Sequence, residues 1–217
     1  MKKLFLLSIM IIFGMIMVSC EKNNEKPDDI SGDQSPMGDV GVTVSSSSAE
    51  IAGISSFSAV ITGLADGVSS YNASATITNP LFKNMVAGFP GVTINGDVVT
   101  ITDMKMQQTK EGIKCITGPG AGVLVKYDSK VGDTYPIGNT GKVRKVVSKS
   151  TTDDYSYGFF LIKTIQVEDE NMGFLKNTGG ILKTTYIANH KFGLVGVRFD
   201  YDDGTSVTYP LYTSAQN

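Results

Sequence analysis

The sequence has no tryptophan, one histidine (His190), two cysteines and a charged content of only 18%. Each shortage removes a kind of chemistry. A single histidine cannot build a His-based zinc site, and the only Cys–His pair available for nucleophilic catalysis, Cys115 with His190, is widely separated with no motif around either residue. Without tryptophan the best stacking surface for sugars is missing, which leaves tyrosines such as Tyr155, Tyr157 and Tyr209. There is no basic excess, with 19 Lys and Arg against 21 Asp and Glu, so a nucleic-acid partner is not expected. Gly118-Pro119-Gly120-Ala121-Gly122 lacks the lysine and following helix of a phosphate loop, and no serine occupies the strand-to-helix elbow of esterases. No cofactor is expected.

What is present begins at the N-terminus. Lys2 and Lys3 precede an apolar run from Leu4 to Val18, which ends at Ser19-Cys20 and gives way to Glu21-Lys22-Asn23-Asn24-Glu25-Lys26. The run is too short to span roughly 30 Å of hydrocarbon as a helix and has the layout of a removable export signal. Met17-Val18-Ser19-Cys20 resembles the lipobox of bacterial lipoproteins, which implies cleavage after residue 19 and lipid attachment at Cys20. Glu21 and Glu25 are similar to the acidic stretch that follows the cysteine in Bacteroides-type lipoproteins. That resemblance implies an envelope protein held in the outer membrane, facing the periplasm or the cell surface. Two or three acyl chains would hold it firmly.

Residues 20 to 39 contain six acidic residues, two lysines and two prolines, with Ile30 and Met37 as nearly their only apolar content. Such a stretch buries too little to offset its ordering entropy and reads as a flexible tether. The mature chain keeps 17 basic residues against 21 acidic ones, and its 198 residues suit one large domain or two small ones. If Cys20 is acylated, Cys115 has no disulfide partner within the chain, and a buried apolar role is expected for it.

The remaining sequence reads as all-β: an antiparallel sandwich or barrel-like domain of about 9 to 12 strands with at most one short helix, at Pro80 to Ala87. Residues 40 to 79 are expected to form N-terminal strands, as a small lobe or as part of the main sheet, and residues 80 to 217 the main domain. Alternation of Tyr71, Ala73, Ala75 and Ile77 with polar residues predicts a strand. Upstream, Phe57 to Leu64 followed by Gly67 and Tyr71 resembles the closing half of a fibronectin type III-like module, which implies a turn at Thr62-Gly63-Leu64. Val92 to Ile101 predicts a hairpin turning on Asn95-Gly96 in type I′ geometry. Met104 to Ile116 and Val123 to Tyr135 read as two further strand pairs. Tyr155 to Glu168 reads as one long central strand, apolar on both faces at its middle and bent near Gly158 or Lys163. Three more strands are expected from Ile181, Phe192 and Ser206 onward, with Pro210 marking the last as an edge. Lys142, Arg144, Lys145 and Lys149 interleave with valines as one solvated strand face.

Two loops stand out as candidate sites. Asp200, Asp202 and Asp203 beside Gly204 could supply oxygen ligands to a hard cation, although a hairpin turn explains them more simply. Asp153, Asp154 and Tyr155, together with His190, form the other weak candidate group for a polar ligand. The leading functional reading is a non-catalytic, membrane-anchored β module that binds a protein or glycan partner in the envelope. One alternative is a structural subunit of a surface appendage or adhesin, joined by strand addition. Another is a hydrolase using the Asp153 and Asp200 loops, which as a glycosidase requires its carboxyl groups about 5 to 9.5 Å apart.

Overall fold

The computed structural model describes residues 29–47, 49–170 and 180–217. The leader and Cys20 lie outside them. Sixteen strands, one short α-helix and a 3-10 turn at Pro36–Gly38 occupy the described residues, and every strand pair is antiparallel.

The first sheet grows from local turns. Asp66 and Gly67 both take positive φ (52° and 74°), the type I′ geometry that folds β3 (Val68–Ile77) back on β2 (Ile54–Ala65). Asn79 then caps helix α1 (Pro80–Val86), its side chain accepting the Leu81 N–H at 2.9 Å, with Pro80 at the first helical position where no N–H is needed. A second tight hairpin joins β4 (Val92–Asn95) to β5 (Val98–Gln108). One flank of β5 pairs with β3, and the other is shared by β4 and β6 (Gly112–Cys115), which in turn pairs with β7 (Gly122–Lys126). On the far side β1 (Thr43–Ser45) pairs with β2.

From β7 the chain moves into a second, six-stranded sheet. Its order is β15 (Ser206–Pro210), β14 (Gly193–Tyr201), β13 (Ile181–Asn189), β12 (Ile165–Glu170), β9 (Val143–Lys149) and β8 (Thr134–Pro136). A separate hairpin, β10 (Tyr155–Tyr157) with β11 (Phe160–Ile162), belongs to neither sheet. After Pro210 the chain crosses back, and β16 (Tyr212–Thr213) pairs with β1.

The two sheets face each other in a half-barrel, sandwich-like arrangement. Ile113, Val123 and Val125 of the first sheet pack against Val146, Val167 and Ala188 of the second. At one end α1 plugs the gap. Phe82 is fully buried, with its ring edge-on to Phe199 (5.1 Å) and Tyr209 (5.7 Å).

Several expectations need correction. From Ile30 onward the polar stretch read as a tether is packed into the fold, with Ile30, Ser35 and Met37 buried. Of the two alternatives for residues 40 to 79, the β3–β5 ladder makes them part of the main sheet, which is no correction. Thr62-Gly63-Leu64 lies inside β2, where Gly63 follows a register shift, because Asp66-Gly67 supplies the positive φ angles a tight turn needs. The Val92–Ile101 hairpin forms, but Asn95 pairs with Val98, so the turn residues are Gly96 and Asp97 with glycine leading at φ 60°. Glycine at the first central position is the type II′ preference.

Val123 to Tyr135 is not a ladder. β7 pairs with β6 and β8 with β9, so the Ser129–Asp133 turn carries the chain from one sheet to the other. The long Tyr155–Glu168 strand breaks twice, at Gly158 and at Lys163-Thr164, and only its last part enters a main sheet. Splits of this kind raise the strand number above the 9 to 12 expected. Arg144 does not share a solvated face with its neighbouring lysines. It points inward with Val146, while Val143 and Val147 are exposed. Pro210 does end an edge strand, β15.

Candidate functional site

The β10–β11 hairpin rests on the second sheet through one end and leaves the other bare. Tyr157 and Ile162 are buried against Ile187 and Val195. The Tyr157 ring lies 4.7 Å from Phe192 and 5.3 Å from Tyr212, and its hydroxyl accepts the Thr213 N–H at 3.3 Å. Gly158, at φ 59°, reverses the chain. The turn carries Phe159, fully exposed, followed by Phe160 at 66% and Leu161 at 58% exposure. Three consecutive large apolar side chains are thus held in water by a well-packed stem. An exposed apolar cluster of this kind marks a contact site more often than a lone exposed leucine does.

Beside the tip runs an open groove of about 650 Å³, bordered by Phe160, Leu161 and Lys163 on the hairpin side and by His190, Lys191 and Phe192 across from it. Asp153 also lines it. The structure therefore brings Asp153 and His190 to one place. Asp154 is exposed nearby in sequence, and Tyr155 is half-buried in the hairpin's packing cluster, its hydroxyl pushed upward in pKa by burial.

The groove has a rigid frame. Asn189, buried, donates to the Lys163 carbonyl (2.7 Å) and accepts the N–H groups of Lys191 (2.8 Å) and Phe192 (3.1 Å). Asn217 donates its side-chain amide to the His190 carbonyl (2.6 Å) and its backbone N–H to the Lys191 carbonyl (2.9 Å), and it accepts the Ser35 hydroxyl at 2.7 Å. A surface with an apolar lip, two lysines, a carboxylate and an imidazole can bind amphipathic material.

The Asp200 loop lies elsewhere. Asp200 holds Arg198 (2.5 and 2.9 Å), and Asp203 accepts both the N–H and the hydroxyl of Thr205. Those Thr205 bonds hold the exposed Asp203 carboxyl below its ordinary pKa. Asp202 donates its N–H to Gly180. Asp200 is the next-to-last residue of β14 and Asp202 and Asp203 follow the strand, whereas His190 and the groove precede its N-terminal end. The seven residue steps from Gly193 to Asp200, at about 3.3 Å each, separate the two sites by roughly 23 Å. That distance rules out the glycosidase arrangement, which needs about 5 to 9.5 Å. Among the described residues no group of three His, Cys, Asp or Glu side chains converges as metal ligands.

The other chemically capable groups serve the core. Cys115 packs with the inter-sheet core, its thiol 3.1 Å from the Thr117 carbonyl and raised in pKa by burial, while His190 is exposed in the β13–β14 turn. The two do not form a dyad. Tyr157 and Tyr209 are buried, and the Tyr209 hydroxyl donates to the Ile51 carbonyl at 2.8 Å, so neither offers a face for sugar stacking. Arg144 and Asp169 are both fully buried, 3.5 Å apart. Arg144 also donates to the carbonyls of Val123 (3.0 Å) and Gly120 (2.6 Å) and sits over the Tyr186 ring. Burial raises the Asp169 pKa to about 6 against the opposing pull of Arg144.

A second, smaller cavity of about 120 Å³ lies between the sheets, lined mainly by apolar side chains such as Phe57, Met104 and Leu194, with Gln108 and Tyr71 as polar contributors. No protein-family model, curated protein or solved structure matches this chain. Its site must therefore be read from its own geometry. Of that site, Phe159, Phe160 and Leu161 were not singled out from sequence. The signal was present as an apolar run breaking the alternation directly after Gly158, and a hairpin explains it better than a doubly covered strand.

Proposed function

We propose that this protein is a membrane-anchored envelope lipoprotein whose β domain is a non-catalytic binding or accessory module, working through the Phe159–Leu161 tip and the groove beside it. The observation that carries the reading is the rigid display of three large apolar side chains in water. Folding gains nothing from leaving them there, whereas docking a partner does. The weaker sequence candidates Asp153 and His190 lie on the same groove, which supports a ligand or partner contact at that end. The Asp200 loop is at the far end, with Asp200 held by Arg198 and Asp203 by Thr205, so a two-carboxylate hydrolase is disfavoured.

The anchor rests on the lipobox-like Met17-Val18-Ser19-Cys20. Mass spectrometry of the mature chain is expected to show Cys20 as a lipid-modified N-terminus. Cys20→Ala is expected to move the protein from the membrane fraction to the soluble one. An unmodified mature chain in the soluble fraction would overturn the anchored reading.

A further inference from the structure

The N-terminal path and the apolar tip share one end of the domain. Asp29 is held by Lys114 at 2.9 Å, and Ser31 donates to Glu111 in the β5–β6 turn. Gln34 bridges to Thr109, and Ser35 bonds Asn217, which in turn bonds the His190 and Lys191 carbonyls on the groove. Asp29 to Ser35 covers six residues, at most about 20 Å of chain. From Cys20 to Asp29 there are nine more, at most about 30 Å. A domain anchored at Cys20 can therefore bring its groove end to the bilayer.

We propose that Phe159, Phe160 and Leu161 form a membrane-contact element that inserts into the interfacial region of the bilayer carrying the Cys20 lipid, a proposal that rests on the anchored-lipoprotein reading. The chemistry suits lipid. Two aromatic rings and a leucine project together, and Lys163 and Lys191 border the same groove, where their ammonium groups can meet anionic headgroups while their stems lie along apolar surface. Insertion would fix the orientation of the anchored domain, with its α1 end pointing away from the membrane.

The absence of tryptophan makes the test direct. Phe159→Trp places the only indole of the chain at the fully exposed tip, and Val98→Trp places it in the β4–β5 hairpin beside α1 as a control. Each lipidated protein is reconstituted into phosphatidylethanolamine–phosphatidylglycerol vesicles with or without bromine-labelled acyl chains. The tip indole is expected to shift to the blue and to be quenched by bromine, and the control indole to remain in a water-like state. A tip indole that stays water-like in vesicle-bound, lipidated protein overturns the proposal, leaves the anchor reading intact and assigns the tip to a protein partner.

If mass spectrometry instead shows Cys20 unmodified, the anchor reading fails by itself. The tip is then judged with the unmodified mature chain, residues 20 to 217, and the same vesicles, so that the apolar leader cannot supply the partitioning. Bromine quenching of its tip indole supports lipid contact, with Phe159→Ser/Phe160→Ser weakening partitioning at least about tenfold. No quenching overturns the contact.

Discussion

Burial of the Asp169 carboxyl couples fold stability to pH at the scale of a single residue. Its folded pKa of about 6 stands above an unfolded value near 3.9. Above pH 6 the folded chain holds a buried carboxylate that the unfolded chain would keep in water. As pH falls from about 6 to about 4 the folded state takes up a proton first, so this group's contribution to stability rises by about 2 to 3 kcal/mol. Asp29, Asp103 and Asp203, held below the ordinary carboxylate range by Lys114, Lys105 and Thr205, act in the opposite sense only at lower pH. Urea midpoints are expected to be higher at pH 5 than at pH 7.5 in the wild type, with that rise reduced in Asp169→Asn. Removing Arg144 is harsher. Arg144→Met leaves a buried carboxylate without its cation and is expected to cost about 3 to 5 kcal/mol at pH 7.5 by chemical denaturation. Phe82→Ala, at the plug between the sheets, is expected to cost a similar 3 to 5 kcal/mol by the same measurement. Cys115, packed against the core with its thiol raised by burial, is expected to react with a disulfide reagent much more slowly in the folded chain than in urea.

Elements add a contrast between two glycines. At Gly112 an added Cβ would sit 2.3 Å from the Val125 carbonyl oxygen inside the β6–β7 ladder, so Gly112→Ala must push two paired strands apart. At Gly158 an added Cβ meets open space, and only the positive φ opposes it. Gly112→Ala is therefore expected to lower the thermal midpoint by several times more than Gly158→Ala, whose cost is about 1 kcal/mol. The same elements show what the sequence could reveal. Period-two alternation located β3, and Pro80 at a helix start with the apolar spacing that follows located α1, because both signals are local. The Tyr155–Glu168 segment misled because alternation gives the face of each side chain but not where the chain reverses. The pattern predicts only a bend near Gly158 or Lys163, whereas Gly158 is the turn that creates the candidate site. Arg144 was hidden for a related reason. Its buried position depends on Asp169, twenty-five residues later, and on the Gly120 and Val123 carbonyls, which no short window brings together.

For the molecule as a whole, the all-β sandwich class was legible from turn spacing and residue type, while the assignment of strands to sheets was not. Three connections decide that assignment: β7 to β8, β9 to β12 around the free hairpin, and β15 to β16. Each depends on which apolar faces meet across the core. The ladder between β1 and β16 adds a temporal constraint. Thr43–Ser45 acquires its outer neighbour only from Tyr212–Thr213, some 170 residues later. Pairings so distant in sequence slow folding through loop-closure entropy. A chain emerging N-terminus first from a ribosome stays one strand short of its finished first sheet until its last residues are released, so that sheet closes only once synthesis is complete.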